Sequence, residues 1–133
     1  MISKEIIKIA LNTKNVGCTN KYDLKSTLKN NLCGDKIKIE LMIKKNKINS
    51  MKYETESCVY CEASASLLAT KIKNLEIYTA IKGLNLLKKI TKNKKHIFPI
   101  YFEDFKILIN KKNLSRIKCI NLPVDGVLKA LKS

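Results

Sequence analysis

The chain has 133 residues, 45% of them hydrophobic, which suits one compact domain with a buried core and makes a second domain unexpected. We therefore expect residues 1–133 to form a single domain. The formal net charge is +16, but lysine outnumbers arginine 26 to 1 and is spread along the chain. This pattern argues against a nucleic-acid partner, because Arg supplies bidentate contacts to phosphate and guanine that Lys cannot make.

The positive charge instead favours docking to an acidic protein partner. No stretch approaches the roughly 20 consecutive apolar residues of a membrane span, and the amino terminus carries no convincing signal peptide. We expect a cytoplasmic protein with no membrane partner. In a reducing compartment cysteines are better interpreted as metal ligands or reactive thiols than as disulfides. The chain has five: Cys18, Cys33, Cys58, Cys61 and Cys119.

The first half of the chain predicts one helix followed by strands. Apolar residues at helical spacing predict an amphipathic helix over residues 2–12, and the polar stretch 12–32 predicts a long ordered loop. Residues 36–43 alternate charged and apolar side chains, which indicates a half-buried strand. A hairpin turn over 44–47 and one or two further antiparallel strands over 48–56 follow.

The second half predicts helices. The helix predicted over residues 62–74 begins with small side chains that permit close packing. The helix over 75–90 carries an apolar stripe, although Gly83 lowers the stability of its middle. The helix over 98–108 directs aromatic side chains inward. Pro123 suits the first turn of a final helix. Because the strands precede most of the helices, we expect an α+β fold with a small antiparallel sheet of about three strands packed against helices.

Three cysteines in three different settings predict one metal site. Cys33 lies in Cys33-Gly34-Asp35, Cys58 precedes Ala63-Ser64-Ala65-Ser66, and Cys119 follows Arg116. Thiolates that a fold gathers from distant segments hold zinc or an iron-sulfur cluster, and a nearby carboxylate completes an exchangeable coordination sphere.

Cys58 and Cys61 form a CxxC pair near the start of a predicted helix, where unpaired N–H groups and the helix dipole favour thiolate. A thioredoxin-like redox site would follow a strand in a βαβ unit, and that context is missing. Cys61 is therefore either a metal ligand or a small core side chain. His96 is interpreted as an exposed loop residue, and Cys18 is left outside the predicted site.

Together, Cys33-Gly34-Asp35, Cys58 with its Ala-Ser-Ala-Ser sequence, and Arg116-x-x-Cys119-x-x-Leu122 resemble the three motifs of the NifU/IscU/SufU family of iron-sulfur cluster assembly proteins. The resemblance covers nearly the whole chain. It implies that the cluster or metal ligands are Cys33, Asp35, Cys58 and Cys119.

Within that family the chain is more similar to the SufU branch. Lys118 stands where the IscU branch has His, and residues 113–118 do not match the chaperone-recognition sequence of that branch. The 60 residues between Cys58 and Cys119 are similar to SufU proteins with an inserted helical segment. Because Cys61 stands where many relatives have a small residue, a ligand set of Cys33, Cys58, Cys61 and Cys119 without Asp35 is the alternative.

The resemblance implies one of two functions, and either requires a cysteine desulfurase as partner. The first is a non-catalytic scaffold that builds a labile [2Fe-2S] cluster and transfers it to acceptor apoproteins. The second is a zinc-dependent sulfurtransferase in which one cysteine carries persulfide, with Cys119 as the candidate carrier on a mobile loop before the last helix. We expect the scaffold, since a labile site of three cysteines and one aspartate is its minimal requirement. The sequence predicts no oligomeric state.

Overall fold

A computed structural model of the chain describes residues 2–31, 34–90 and 97–132. The elements in chain order are α1 (Lys4–Ala10), β1 (Leu24–Lys29), β2 (Lys36–Lys44), β3 (Lys47–Glu56), α2 (Val59–Lys71), α3 (Ile77–Ile90), two 3-10 helices (Ile100–Ile107 and Lys111–Arg116) and α4 (Ile117–Lys132). The strands form one antiparallel sheet in the order β1-β2-β3. One face of the sheet packs against helices, which confirms the expected α+β architecture.

The hairpin of β2 and β3 forms where the sequence predicts it. Lys45 and Asn46 both have positive φ, at 51° and 64°, as a type I′ two-residue turn requires. Ile37, Ile39 and Leu41 of β2 are buried as the alternation predicts. The period of two in the sequence therefore identifies the face of β2 that packs on the core.

The predicted loop over residues 12–32 is wrong, because it contains strand β1. This strand pairs antiparallel with β2 in a register that places Leu24 opposite Leu41 and Lys29 opposite Lys36. Its central inward position is Ser26, whose hydroxyl donates to the carbonyl of Gly126 at 2.6 Å. A serine at a buried position interrupts the apolar alternation, so the hydrophobic pattern could not reveal the strand.

The small residues of α2 allow α4 to lie close to it. Ala63, Ser64 and Ala65 are buried, and the Ser64 hydroxyl donates to the carbonyl of Ile120 at 2.6 Å. Helix α2 begins at Val59, three residues before the predicted start at 62. The close packing that the sequence predicts for this helix is therefore directed at α4.

The predicted helix over 98–108 is a 3-10 helix with a kink. Phe102 departs from helical geometry, with φ −119° and ψ 21°, yet Phe102 and Phe105 are fully buried as expected. Their rings pack edge to face with centroids 6.0 Å apart. A Cβ at Gly83 of α3 would lie 2.8 Å from the Phe102 ring, so glycine permits the close contact of these two segments.

The placement of Pro123 in a first helical turn is wrong. Helix α4 begins at Ile117, so Pro123 lies in its interior and Cys119 lies in its first turn with 4% of its surface exposed, not on a mobile loop. Proline is disfavoured there because it has no backbone N–H to donate within the helix. The apolar face of α4 is buried against the core, and this packing outweighs the local preference of proline.

No helix within the described ranges is both long and apolar enough to cross a membrane.

Replacing Gly126 with Ala tests the contact between α4 and the sheet. A Cβ at this position would lie 2.6 Å from Cδ1 of Ile39. We expect Gly126→Ala to lower the free energy of unfolding by about 1–2 kcal/mol through overpacking, measured by urea denaturation. Ile39→Val removes the clashing methyl group, so the double variant should be more stable than the sum of the two single effects. Strict additivity would contradict the contact.

Candidate metal centre

Asp35 lies immediately before β2 and is buried, with 4% of its surface exposed. Its Oδ1 accepts a hydrogen bond from the backbone N–H of Cys58 at 3.1 Å, and its Oδ2 lies 3.6 Å from the Cys58 thiol, which donates to it. The main chain of Asp35 is also held, because its carbonyl accepts from the N–H of Asn30 at 2.7 Å. The position of the carboxylate is therefore fixed from both sides.

Cys58 is the N-cap residue of α2, with extended backbone angles of φ −72° and ψ 168°. Its side chain makes no capping bond and is half-buried. The positive end of the helix dipole favours a negatively charged ligand at this position. The sulfur is thus not used to cap the helix and lies beside the Asp35 carboxylate, where a metal could bind both.

Cys119 reaches the same region from α4. The Ser64 hydroxyl binds the carbonyl of the next residue, Ile120, and so holds the first turn of α4 against α2. Near the same turn the Arg116 guanidinium lies 5.6 Å from the centroid of the Tyr60 ring. This cation–π contact, which the sequence motif did not reveal for Tyr60, is a second link between the starts of α2 and α4.

These three residues form a group whose ligand atoms all lie within 4.8 Å of one another: a carboxylate oxygen of Asp35 and the sulfurs of Cys58 and Cys119. Among the described residues it is the only group of at least three His, Cys, Asp or Glu side chains with this geometry. Two sulfurs bound tetrahedrally to one zinc at about 2.3 Å lie about 3.8 Å apart. The group therefore fits a metal ion or cluster after a small inward movement.

Two residues from the sequence analysis, Cys33 and His96, lie outside the described residues. Cys61 is described and is completely buried in the first turn of α2, outside the group defined above. Burial, opposed by a hydrogen bond from Ser57, raises the pKa of the Cys61 thiol to about 12, and the charges of Asp35 and Cys58 contribute to the increase. Cys61 therefore remains a neutral thiol at physiological pH.

Cys18 lies over the outer face of the sheet, away from the group. Its thiol lies 3.8 Å from the carbonyl of Lys38, to which it donates. The loop that carries it is held by Glu40, whose buried carboxylate accepts from the N–H groups of Thr19 at 2.7 Å and Asn20 at 3.0 Å. The alternation of β2 did not predict this contact, because it places the Glu40 side chain on the solvent side of the sheet.

The reactivity of Cys18 tests the electrostatics of this loop. Burial and then the negative charge of Glu40 raise the pKa of Cys18 to about 11, so its thiolate forms only when the pH approaches that value. At pH 8 we expect alkylation of Cys18 by iodoacetamide to be about 100-fold slower than in the unfolded chain, since two pKa units reduce the thiolate fraction about 100-fold. Peptide mass mapping measures the rate.

Glu40→Gln keeps an acceptor oxygen for the loop but removes the charge, so this variant should accelerate the reaction of Cys18. Equal rates in the folded and unfolded chains would show that the thiol is not shielded.

Residues 1–100 match the protein family described as the NifU-like N terminal domain. The chain is 29% identical over 112 residues to the zinc-dependent sulfurtransferase SufU of Bacillus subtilis (strain 168), covering 84% of this chain and 76% of that protein. It is 30% identical over 82 residues to the iron-sulfur cluster assembly scaffold protein IscU 1 of Archaeoglobus fulgidus. That match covers 62% of this chain and 54% of the archaeal protein, so it spans about half of that relative.

Solved structures show the same fold. A NifU-like protein (N-terminal) from Brucella abortus superposes with a TM-score of 0.84 at 19% identity, covering 98% of this chain and 91% of that one. The FiSufU protein of Fervidobacterium islandicum AW-1 gives a TM-score of 0.87 at 21% identity, covering 97% and 95%. Three observations support the same family: the family match over three quarters of the sequence, the shared fold, and the group of Asp35, Cys58 and Cys119. The chain belongs to the NifU-like N-terminal domain family.

Proposed function

We propose that the protein is an iron-sulfur cluster assembly scaffold, a single domain that builds a labile [2Fe-2S] cluster and transfers it to acceptor apoproteins. The supporting observation is the convergence of Asp35, Cys58 and Cys119 to within 4.8 Å. Cys33 is the proposed third thiolate. It precedes Asp35 by two residues, a chain length of at most about 7 Å, which supports its assignment to the same site.

Asp35 is proposed to make the bound cluster exchangeable. A hard carboxylate oxygen binds iron less tightly than a thiolate does in a sulfur-rich site, so one position of the ligand set is weaker than the others. The hydrogen bond from the Cys58 N–H draws electron density from the same carboxylate and weakens it further as a ligand. A carrier requires this lability, because it must release what it assembles.

The exposure of the ligands indicates where an exchange partner approaches. Asp35 and Cys119 are buried, Cys58 is half-buried, and Gly34 beside Asp35 is exposed. A partner therefore reaches the metal from the edge formed by Gly34 and Cys58. We propose that a cysteine desulfurase delivers sulfur at this edge.

The second candidate function is that of a zinc-dependent sulfurtransferase, and similarity to the Bacillus SufU over 84% of this chain favours it. The same residues would then hold zinc, which orders the site while one cysteine receives persulfide sulfur from the desulfurase. Cys119 was the expected carrier, but its 4% exposure in α4 leaves the half-buried Cys58 as the more accessible thiol.

Metal analysis distinguishes the two functions. We expect anaerobic reconstitution with iron, sulfide and reductant to give the visible and Mössbauer spectra of a [2Fe-2S] cluster. Cys58→Ser and Cys119→Ser should abolish cluster uptake, whereas Cys18→Ser, on the other face of the sheet, should retain it. Tight stoichiometric zinc with no cluster uptake would exclude the scaffold. If the protein then failed to stimulate a cognate desulfurase, the sulfurtransferase would be excluded as well.

Asp35 variants test the origin of lability. We expect Asp35→Ala to slow cluster release about tenfold or more, because the variant lacks the exchangeable carboxylate, and even changes around the ligands typically alter a metal site about 10–100-fold. Asp35→Asn is the matched control, since it removes the carboxylate but keeps an oxygen that accepts a hydrogen bond from the Cys58 N–H. Both variants should release the cluster slowly in a transfer assay to a chelator. If Asp35→Asn released the cluster as fast as the wild type, the Asp35 side chain would act only as a hydrogen-bond acceptor at the start of α2.

A further inference from the structure

An exposed apolar groove lies between α3 and the first 3-10 helix. Tyr78 and Leu86 of α3 are 72% and 42% exposed, and Ile100 and Tyr101 of the 3-10 helix are 79% and 47% exposed. They line one concavity of about 320 Å³ together with Thr79, Lys82, Gly83 and Pro99. Clustered exposed apolar side chains of this kind mark interaction sites, and this volume suits a few inserted side chains.

The groove is built by the contact of Gly83 with Phe102. Because a Cβ at Gly83 would lie 2.8 Å from the Phe102 ring, only glycine allows the 3-10 helix to lie this close to α3. The buried pair of Phe102 and Phe105 anchors that helix. Ile100 and Tyr101 are consequently directed outward. The exposed apolar side chains are thus held by packed core residues.

The groove begins at the end of the sheet opposite the metal centre. The N–H of Ile77, at the start of α3, donates to the carbonyl of Asn46 in the β2-β3 turn at 3.0 Å. Asp35 precedes the other end of β2, a strand of 9 residues, which at about 3.3 Å per residue is about 30 Å long. A protein bound at Tyr78 therefore leaves the metal edge uncovered at first contact.

The charges of the groove indicate the kind of occupant. Lys82 lies between Tyr78 and Leu86 along α3, and none of the lining residues carries a carboxylate. The net charge of +16 opposes a second copy of this chain as occupant. An acidic protein fits the groove if it presents an apolar side chain next to an Asp or Glu. The apolar side chain fills the groove, and the carboxylate neutralises Lys82.

We propose that this groove docks an acidic acceptor apoprotein while the metal centre transfers its cluster, an inference that rests on the proposed scaffold function. The acceptor inserts an apolar side chain between Tyr78 and Ile100 and pairs a carboxylate with Lys82. A domain of 100 residues has a radius of gyration of about 13 Å and is therefore about 34 Å across. An acceptor that docks through one of its own edges and then lies along the sheet can therefore span the roughly 30 Å to the metal centre.

The test is cluster transfer to the apo form of an acidic [2Fe-2S] ferredoxin at varied acceptor concentration. Tyr78→Ser, Ile100→Ser and Lys82→Glu should each raise the half-saturating acceptor concentration about tenfold or more, the size expected for loss of an interface anchor. The maximal transfer rate and the rate of release to a small chelator should not change. Two matched controls should behave as wild type: Leu11→Ser, at the C-cap residue of α1, which is 73% exposed, and Lys14→Glu.

Unchanged half-saturation in the three groove variants would overturn the proposal while leaving the scaffold function intact. If the wild type takes up no cluster, the scaffold function fails. Calorimetric titration with the same apo-ferredoxin then tests the groove directly. Binding that the groove variants weaken would support docking, and the absence of binding would overturn it. A third outcome is that the wild type binds anionic phospholipid vesicles and Ile100→Ser does not, while both bind ferredoxin equally well. This result would assign the groove to a membrane surface and would also overturn the proposal.

Discussion

The carboxylate of the buried Asp35 accepts a hydrogen bond of 3.1 Å from the backbone N–H of Cys58, the N-cap residue of α2. A hydrogen bond to a charged group contributes roughly 1.5–3 kcal/mol to stability. It joins the start of β2 to the start of α2, so two segments far apart in sequence each present a metal-binding side chain at one place. Changing Asp35 therefore alters both the ligand set and the helix start that positions Cys58.

The third described ligand depends on two buried serines. Ser64 of α2 and Ser26 of β1 donate to the carbonyls of Ile120 and Gly126, each at 2.6 Å. These bonds hold α4 along the sheet and against α2, and they fix the turn that contains Cys119. The small side chains of the Ala-Ser-Ala-Ser sequence therefore serve the metal centre indirectly, because they allow the close approach of α4 that brings its cysteine to Asp35 and Cys58.

Sequence patterns revealed those features that depend on local periodicity or on motif. Alternation predicted β2, and the family motifs predicted a site that includes Asp35, Cys58 and Cys119, whose ligand atoms lie within 4.8 Å of one another. Strand β1 escaped prediction because Ser26 occupies its central buried position, and the start of α4 escaped because burial of its apolar face overrides the preference of Pro123 for a first turn. Both failures involve tertiary contacts that no local window of sequence contains.

X-ray absorption spectroscopy at the zinc edge, on protein loaded with one zinc ion, tests the ligand set most directly. We expect three sulfur ligands at about 2.3 Å, from Cys33, Cys58 and Cys119, and one oxygen ligand at about 2.0–2.2 Å, from Asp35. The same spectrum should be obtained from Cys61→Ser. Four sulfur ligands in the wild type, reduced to three by Cys61→Ser, would instead place Cys61 in the metal site and exclude Asp35 as a ligand.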